Sequence, residues 1–249
     1  MTNGVKADSP KIRGIAHRGY PGKAPENTLR SFQAAIDLQF SHLELDVHLS
    51  RDGEIVVMHD WTINRMCGEN GTIRDMTLAE LKRVNVGGTE KIPTLEETLE
   101  LCRDQIIVSI ELKQAGDYYP ELEQKVVDLV RRMDMVEQVY IISFDQYSIV
   151  KVKQLCPEVE VGVVIGGNNP FLYAPLREIG AAYFALPLQY LNEDTVNQCL
   201  RHNLQLITWP VDTAEQIERI KPYPHIWVTT NALEVWREHA CQTGKYWPN

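Results

Sequence analysis

The sequence predicts an α/β barrel built on a largely parallel sheet. Three observations carry that expectation. Short β-branched runs alternate with longer segments of helical period, the pattern of βα units. The 249 residues match the roughly 250 that such a barrel needs. No internal repeat, low-complexity tract or Pro/Ser-rich linker divides the chain, so one domain is expected over residues 1–249.

Taken in order, the first strand candidate is IRGIAH, followed by NTLRSFQAAIDL, where Leu29, Phe32, Ala35 and Ile36 recur at helical spacing. HLELDVHL and EIVVMH come next. Thr94 and Glu97 form a capping-box signal ahead of LEETLELC. QIIVSIEL precedes LEQKVVDLVRRM, whose Leu122, Val126, Leu129 and Val130 share a helix face. VYIISF, EVGVVI, AYFAL, LQLITWPV and HIWVTT complete the strands. That makes nine, one more than eight. SRDG leaves no room for a crossover helix between the second and third, so those two are expected to pair antiparallel. With the turn centred near Arg51 and Asp52, Glu44 falls opposite His59, and Asp46 opposite Val57.

The second strand carries the first chemical signal. Residues two apart share a face, so Leu43, Leu45, Val47 and Leu49 point one way and His42, Glu44, Asp46 and His48 the other. Other strand ends repeat the theme: His17 and Arg18 close the first strand, His59 the third, and Glu111 and Lys113 the fourth. In a parallel barrel such ends converge on one face. Glu44, Asp46 and Glu111 held together would repel one another unless a cation neutralised them. An all-oxygen set without cysteine points to Mg²⁺ or Ca²⁺. Two histidines nearby can serve as general acid and base, and Arg18 and Lys113 supply positive charge suited to a phosphate. His42 and His48 are expected to pack or hydrogen-bond.

Composition narrows the partners. A formal net charge of −9 disfavours nucleic acid and anionic membranes. Five scattered cysteines without a C-x-x-C pair argue against a disulfide framework and suit a reducing, cytoplasmic setting. No run of about 18 apolar residues and no signal-like start is present, so stable membrane insertion is not expected. No P-loop or dinucleotide fingerprint occurs.

AHRGYPGKAPENTLRSFQAAI, ELDVHLSRDGEIVVMHD, TINR, GTIRDMTLAELKRV, IPTLEETLELC and IELK resemble, in order and at ordinary spacing, the motifs of the glycerophosphodiester phosphodiesterase family in its bacterial, single-domain form. The resemblance implies a somewhat irregular (β/α)8 TIM-type barrel with a small insertion at about 61–88. It also implies hydrolysis of glycerophosphodiesters to sn-glycerol 3-phosphate and an alcohol through a cyclic phosphate. By it, His17 and His59 are the acid–base pair, Glu44, Asp46 and Glu111 the ligands of one divalent cation, and Arg18 and Lys113 the phosphate contacts. Trp209 is either a wall for glycerol or a buried core residue, Glu26 and Asn27 lie in a supporting loop, and the protein is a monomer or homodimer. Tyr118 and Tyr119 in DYYP are expected at the pocket mouth. Three departures stand out: Met66 and Cys67 where relatives carry Thr-Thr, TWPVD in place of W-T-V-N, and Asn231 in place of Asp in I-T-D-x-P. No role is carried over to Asn231. Two alternatives remain, a phosphodiesterase acting on a (lyso)phospholipid and a catalytically silent phosphodiester-binding barrel.

Overall fold

In the computed structural model, which describes residues 11–244, all nine strand candidates form strands. They are β1 (Ile12–His17), β2 (Phe40–Leu49), β3 (Ile55–Val57), β4 (Ile107–Leu112), β5 (Val139–Ser143), β6 (Glu160–Val164), β7 (Tyr183–Pro187), β8 (Gln205–Trp209) and β9 (Trp227–Thr230). Parallel pairing runs from β1 through β9, β8, β7, β6, β5 and β4 to β2, and β2 pairs back to β1. The barrel is thereby closed by eight parallel strands, with β3 as a ninth outside the ring.

The helices are α1 (Leu29–Asp37), α2 (Asn64–Cys67), α3 (Leu78–Leu81), α4 (Leu95–Cys102), α5 (Leu122–Arg132), α6 (Gln146–Leu155), α7 (Tyr173–Glu178), α8 (Glu193–Arg201), α9 (Ala214–Ile220) and α10 (Leu233–Thr243). Their starts follow local chemistry. Thr94 and Glu97 make the expected reciprocal capping box on α4, and Thr213 with Gln216 does the same on α9. Several returns to the next strand pass through a left-handed residue, namely Gln39, Asp104, Asp134, Gly180 and Asn203, which ends the helix and reverses the chain.

Hydrophobic residues separate into three clusters. The largest lies between barrel and helices and takes the outward residues of β2, Leu43, Leu45 and Val47. A second fills the barrel interior with Ile15, Tyr140, Ile142, Val164, Tyr183, Ala185 and Ile207. A third belongs to the segment between β3 and α4, where Met58, Ile63, Ile73, Leu81, Val84, Val86 and Ile92 bury one another with Val56.

β3 runs antiparallel to β2, with Val47 opposite Val57 and Leu49 opposite Ile55. This is one residue away from the expected register: the residue opposite Asp46 is Met58, whose N–H donates to the Asp46 carbonyl at 3.0 Å, and not Val57. The cause is the turn. Ser50 N–H donates to the Glu54 carbonyl at 2.9 Å, leaving three residues in the loop, with Gly53 at φ 81°. A left-handed third residue is what a three-residue loop requires. The Val47 carbonyl faces the other side, where it accepts from Lys113 N–H at 3.1 Å. β3 thus occupies the edge of β2 that β1 leaves after His17 pairs with Glu44.

Candidate active site

The polar stripe of β2 faces the barrel interior. Glu44, Asp46, His42 and His48 are all buried, which on a strand face needs compensation from partners. Asp46 lies beside Glu111 in the β2–β4 ladder, so parallel pairing alone brings two carboxylates together. Carboxylate oxygens of Glu44, Asp46 and Glu111 all lie within 4.8 Å of one another.

Positive charge is distributed unevenly over this triad. Lys113 Nζ sits 2.9 Å from Asp46 Oδ1 and 2.6 Å from Glu111 Oε1. Arg18 Nε is 3.4 Å from Asp46 Oδ2, and Asn27 Nδ2 donates to the same oxygen at 2.8 Å. Glu44 receives the Arg18 backbone N–H at 3.1 Å, with His17 Nε2 3.9 Å away. The consequences for ionisation differ. Burial would raise the Asp46 carboxyl, but Lys113, Arg18 and His59 outweigh it and hold it well below the usual range. Burial, then the Asp46 and Glu111 charges, push Glu44 well above it. Burial also lifts Glu111, with Asp46 adding and Lys113 opposing, to about 7. Lys113 is itself pushed up, because Asp46 and Glu111 more than offset its desolvation. An all-oxygen donor set with one under-compensated carboxylate fits a hard divalent cation.

The two histidines flank this triad, each with its Nδ1 engaged. His17 Nδ1 lies 2.8 Å from Asn231 Oδ1, and His59 Nδ1 lies 2.8 Å from Asp60 Oδ1. An oxygen acceptor at Nδ1 makes that nitrogen the N–H, which leaves Nε2 with the lone pair in the neutral ring. Burial, then the Arg18 charge, lowers His17 to about 4; burial also lowers His59. His59 reaches the site from a bend and not by cross-strand pairing, since β3 ends at Val57. The bend is pinned by His48, whose Nε2–H donates to the His59 carbonyl at 3.3 Å.

The APENT loop supports the site as expected. Asn27 and Arg18 both adopt left-handed backbone, at φ 57° and 55°, a conformation that non-glycine residues hold only when surroundings impose it. The Arg18 guanidinium donates to Glu26 Oε1 at 2.9 Å. Arg65 of α2 donates to the same oxygen at 2.6 Å and to both oxygens of Asp60 at 2.6 and 3.1 Å. A continuous run of charge pairs therefore links the loop beside His17 to the carboxylate behind His59.

The pocket at the C-terminal mouth of the barrel is lined by His17, Arg18, Glu44, His59, Glu111 and Lys113 on one side, and by Phe144, Ile207 and Trp209 on the other. Trp209 meets Phe144 edge to face at 6.1 Å. Tyr118 and Tyr119 do not line this pocket, contrary to expectation. They pack on Trp61 at 4.6 and 5.8 Å, and Tyr119 OH donates to His48 Nδ1 at 3.1 Å. His42 packs against Tyr140 and Trp227. Asn231, Asp212, Asp60 and Arg65 carry no functional expectation from sequence. Asp60, directly after His59, offers the one local signal, while Asn231 lies 214 positions from the histidine it touches.

Residues 17–235 match the profile of the Glycerophosphoryl diester phosphodiesterase family. A glycerophosphodiester phosphodiesterase of Caldanaerobacter subterraneus subsp. tengcongensis is 35% identical over 217 residues, covering 83% of this chain and 88% of the relative. Among solved structures, a glycerophosphodiester phosphodiesterase of Thermotoga maritima is 27% identical with a TM-score of 0.78, over 93% of this chain and 99% of that one. An Oleispira antarctica phosphodiesterase, solved in complex with the product sn-glycerol-3-phosphate, shares the fold at a TM-score of 0.83 and 24% identity, over 91% and 95% of the two chains. With the profile spanning nearly the whole described barrel, this chain belongs to the glycerophosphoryl diester phosphodiesterase family.

Proposed function

We propose that this protein hydrolyses glycerophosphodiesters to sn-glycerol 3-phosphate and an alcohol, using His17 and His59 as acid–base pair and one divalent cation, Mg²⁺ or Ca²⁺, held by Glu44, Asp46 and Glu111. The observation that carries the reading is the carboxylate triad flanked by two histidines whose Nδ1 atoms are both engaged by oxygens. The sn-glycerol-3-phosphate bound to the Oleispira antarctica phosphodiesterase supports the same product here.

When bound, the cation supplies positive charge that acidifies a substrate hydroxyl and offsets charge on the phosphoryl oxygens. The protein does the rest. One histidine accepts at Nε2 the proton of the substrate's own glycerol hydroxyl as that oxygen attacks phosphorus. The other, protonated, gives its Nε2 proton to the departing alcohol. The roles reverse when water opens the cyclic phosphate. Arg18 and Lys113 hold the phosphate by charge, and Trp209 with Phe144 forms the apolar wall against glycerol. The whole chain acts as one catalytic unit, and the insertion at about 61–88 contributes Arg65 to the support of His59.

The test is release of sn-glycerol 3-phosphate from glycerophosphocholine and glycerophosphoethanolamine, with EDTA and then with Mg²⁺ or Ca²⁺ restored. Product that disappears with EDTA and returns with either ion supports the reading. No product from folded protein with either ion overturns it and redirects attention to (lyso)phospholipids or to binding.

A further inference from the structure

His17 does not meet a carboxylate at Nδ1. It meets the amide oxygen of Asn231 at 2.8 Å, and behind that amide lies Asp212. The Asn231 Nδ2 donates to Asp212 Oδ2 at 2.8 Å, while the Asn231 backbone N–H donates to Asp212 Oδ1 at 2.7 Å. Thr230 Oγ1 donates to Asp212 Oδ1 as well, at 3.0 Å. These bonds fix a direction. A carboxylate only accepts, so Asn231 must turn its NH₂ toward Asp212 and its oxygen toward His17. The amide oxygen in turn accepts the His17 Nδ1–H, and Nε2 is left as the lone pair facing Glu44.

We propose that Asp212 and Asn231 are positioning residues that set the tautomer of His17 through the orientation of one side-chain amide. The proposal rests on His17 acting at Nε2 as described above. It gives a sharp consequence for an isosteric change. In Asp212→Asn the backbone N–H of Asn231 and the Thr230 hydroxyl still require an acceptor, so the new amide keeps its oxygen toward them. Its NH₂ then faces Asn231, which flips to offer oxygen and presents its own NH₂ to His17. The imidazole must accept at Nδ1 and carry its proton on Nε2, the wrong form for a base there. Asn231→Asp alone sets two carboxylates 2.8 Å apart, which repel. The reciprocal exchange, Asp212→Asn with Asn231→Asp, restores a donor facing an acceptor at each contact, and returns an oxygen to His17 Nδ1.

The experiment combines turnover with ¹⁵N NMR of histidine-labelled enzyme at fixed neutral pH in the Mg²⁺ form. Asp212→Asn is expected to lower kcat by about 10²-fold or more with KM unchanged, and to move the His17 proton from Nδ1 to Nε2. The double exchange is expected to recover kcat and return the proton to Nδ1. A His17 that keeps its Nδ1 proton in folded Asp212→Asn overturns the proposal, and so does a double variant no better than the singles. Wild-type enzyme that turns over no glycerophosphodiester refutes the functional reading instead, and the NMR comparison still decides the tautomer question.

Discussion

At the scale of single residues the site depends on where protons and charges are held. His17 and His59 each keep Nδ1 on an oxygen acceptor, so replacement removes the proposed proton carrier and leaves all three carboxylates of the triad in place. His17→Ala and His59→Ala are each expected to lower kcat by about 10²-fold or more, with Mg²⁺ or Ca²⁺ affinity unchanged by titration calorimetry. Full activity in either variant excludes that histidine. These residues were legible in sequence because each lies on, or just beyond, a strand whose alternation shows its face. Asn231 was not: its contact with His17 is made by closing β9 against β1, and nothing local to TTNAL announces it.

Among the elements, the junction after β4 is held by a buried carboxylate on α5. Glu123 accepts from Gln114 Nε2 at 3.0 Å, Ser148 Oγ at 2.6 Å and Lys151 Nζ at 2.8 Å, tying α5 to α6 and to the loop that follows Lys113. Burial alone would raise its pKa, but Lys151, Ser148 and Gln114 outweigh burial and hold it below the ordinary value. A depressed folded pKa contributes stability that is complete above the unfolded carboxyl value near 4.3 and is lost as pH falls through the lower folded value. Glu123→Ala is therefore expected to cost about 1–3 kcal/mol at pH 7, from the loss of hydrogen bonds to a charged group, measured by urea unfolding, and less than that near pH 3. An equal cost at both values contradicts the assignment. The pairing of β2 with β3 gives the element-scale lesson about sequence. Strand identity follows from composition, but register follows from the turn, and one additional left-handed residue at Gly53 displaces every cross-strand partner.

On the whole-molecule scale, the two ends of the described barrel latch together. Trp236 of α10 donates its Nε1–H to the Arg13 carbonyl at 2.9 Å, and a Cβ on Gly14 would lie 2.6 Å from that same nitrogen. Gly14→Val is accordingly expected to destabilise the barrel by about 1–3 kcal/mol, read from thermal unfolding; no change in Tm would mean α10 yields without cost. Closure also creates the electrostatic strain of the triad, since it crowds Glu44, Asp46 and Glu111 within one small volume. A cation that binds only the folded protein stabilises it by mass action, by about 2.7 kcal/mol at a hundredfold excess over Kd, and so raises Tm. Mg²⁺ or Ca²⁺ should therefore raise Tm in the wild type and not in Glu44→Ala.

Among the described residues no helix is long and apolar enough to cross a membrane, and the mouth of the barrel is where the chain's chemistry gathers. By itself the sequence determined the nine strands, the closed α/β class, the family motifs and the eight residues now found at the pocket and triad, because periodicity and strand-end chemistry are local properties. Tertiary structure alone decided the register of β3, the packing of Tyr118 and Tyr119 away from the pocket, and the contacts with Asn231 and Asp60 that hold the proton of each histidine on Nδ1. The Asn231 contact depends on a distance across the closed ring, and residues brought together only by closure leave no periodic trace in the chain; the β3 register depends on the backbone of its turn, and the His59–Asp60 bond on a side-chain direction that adjacency does not fix.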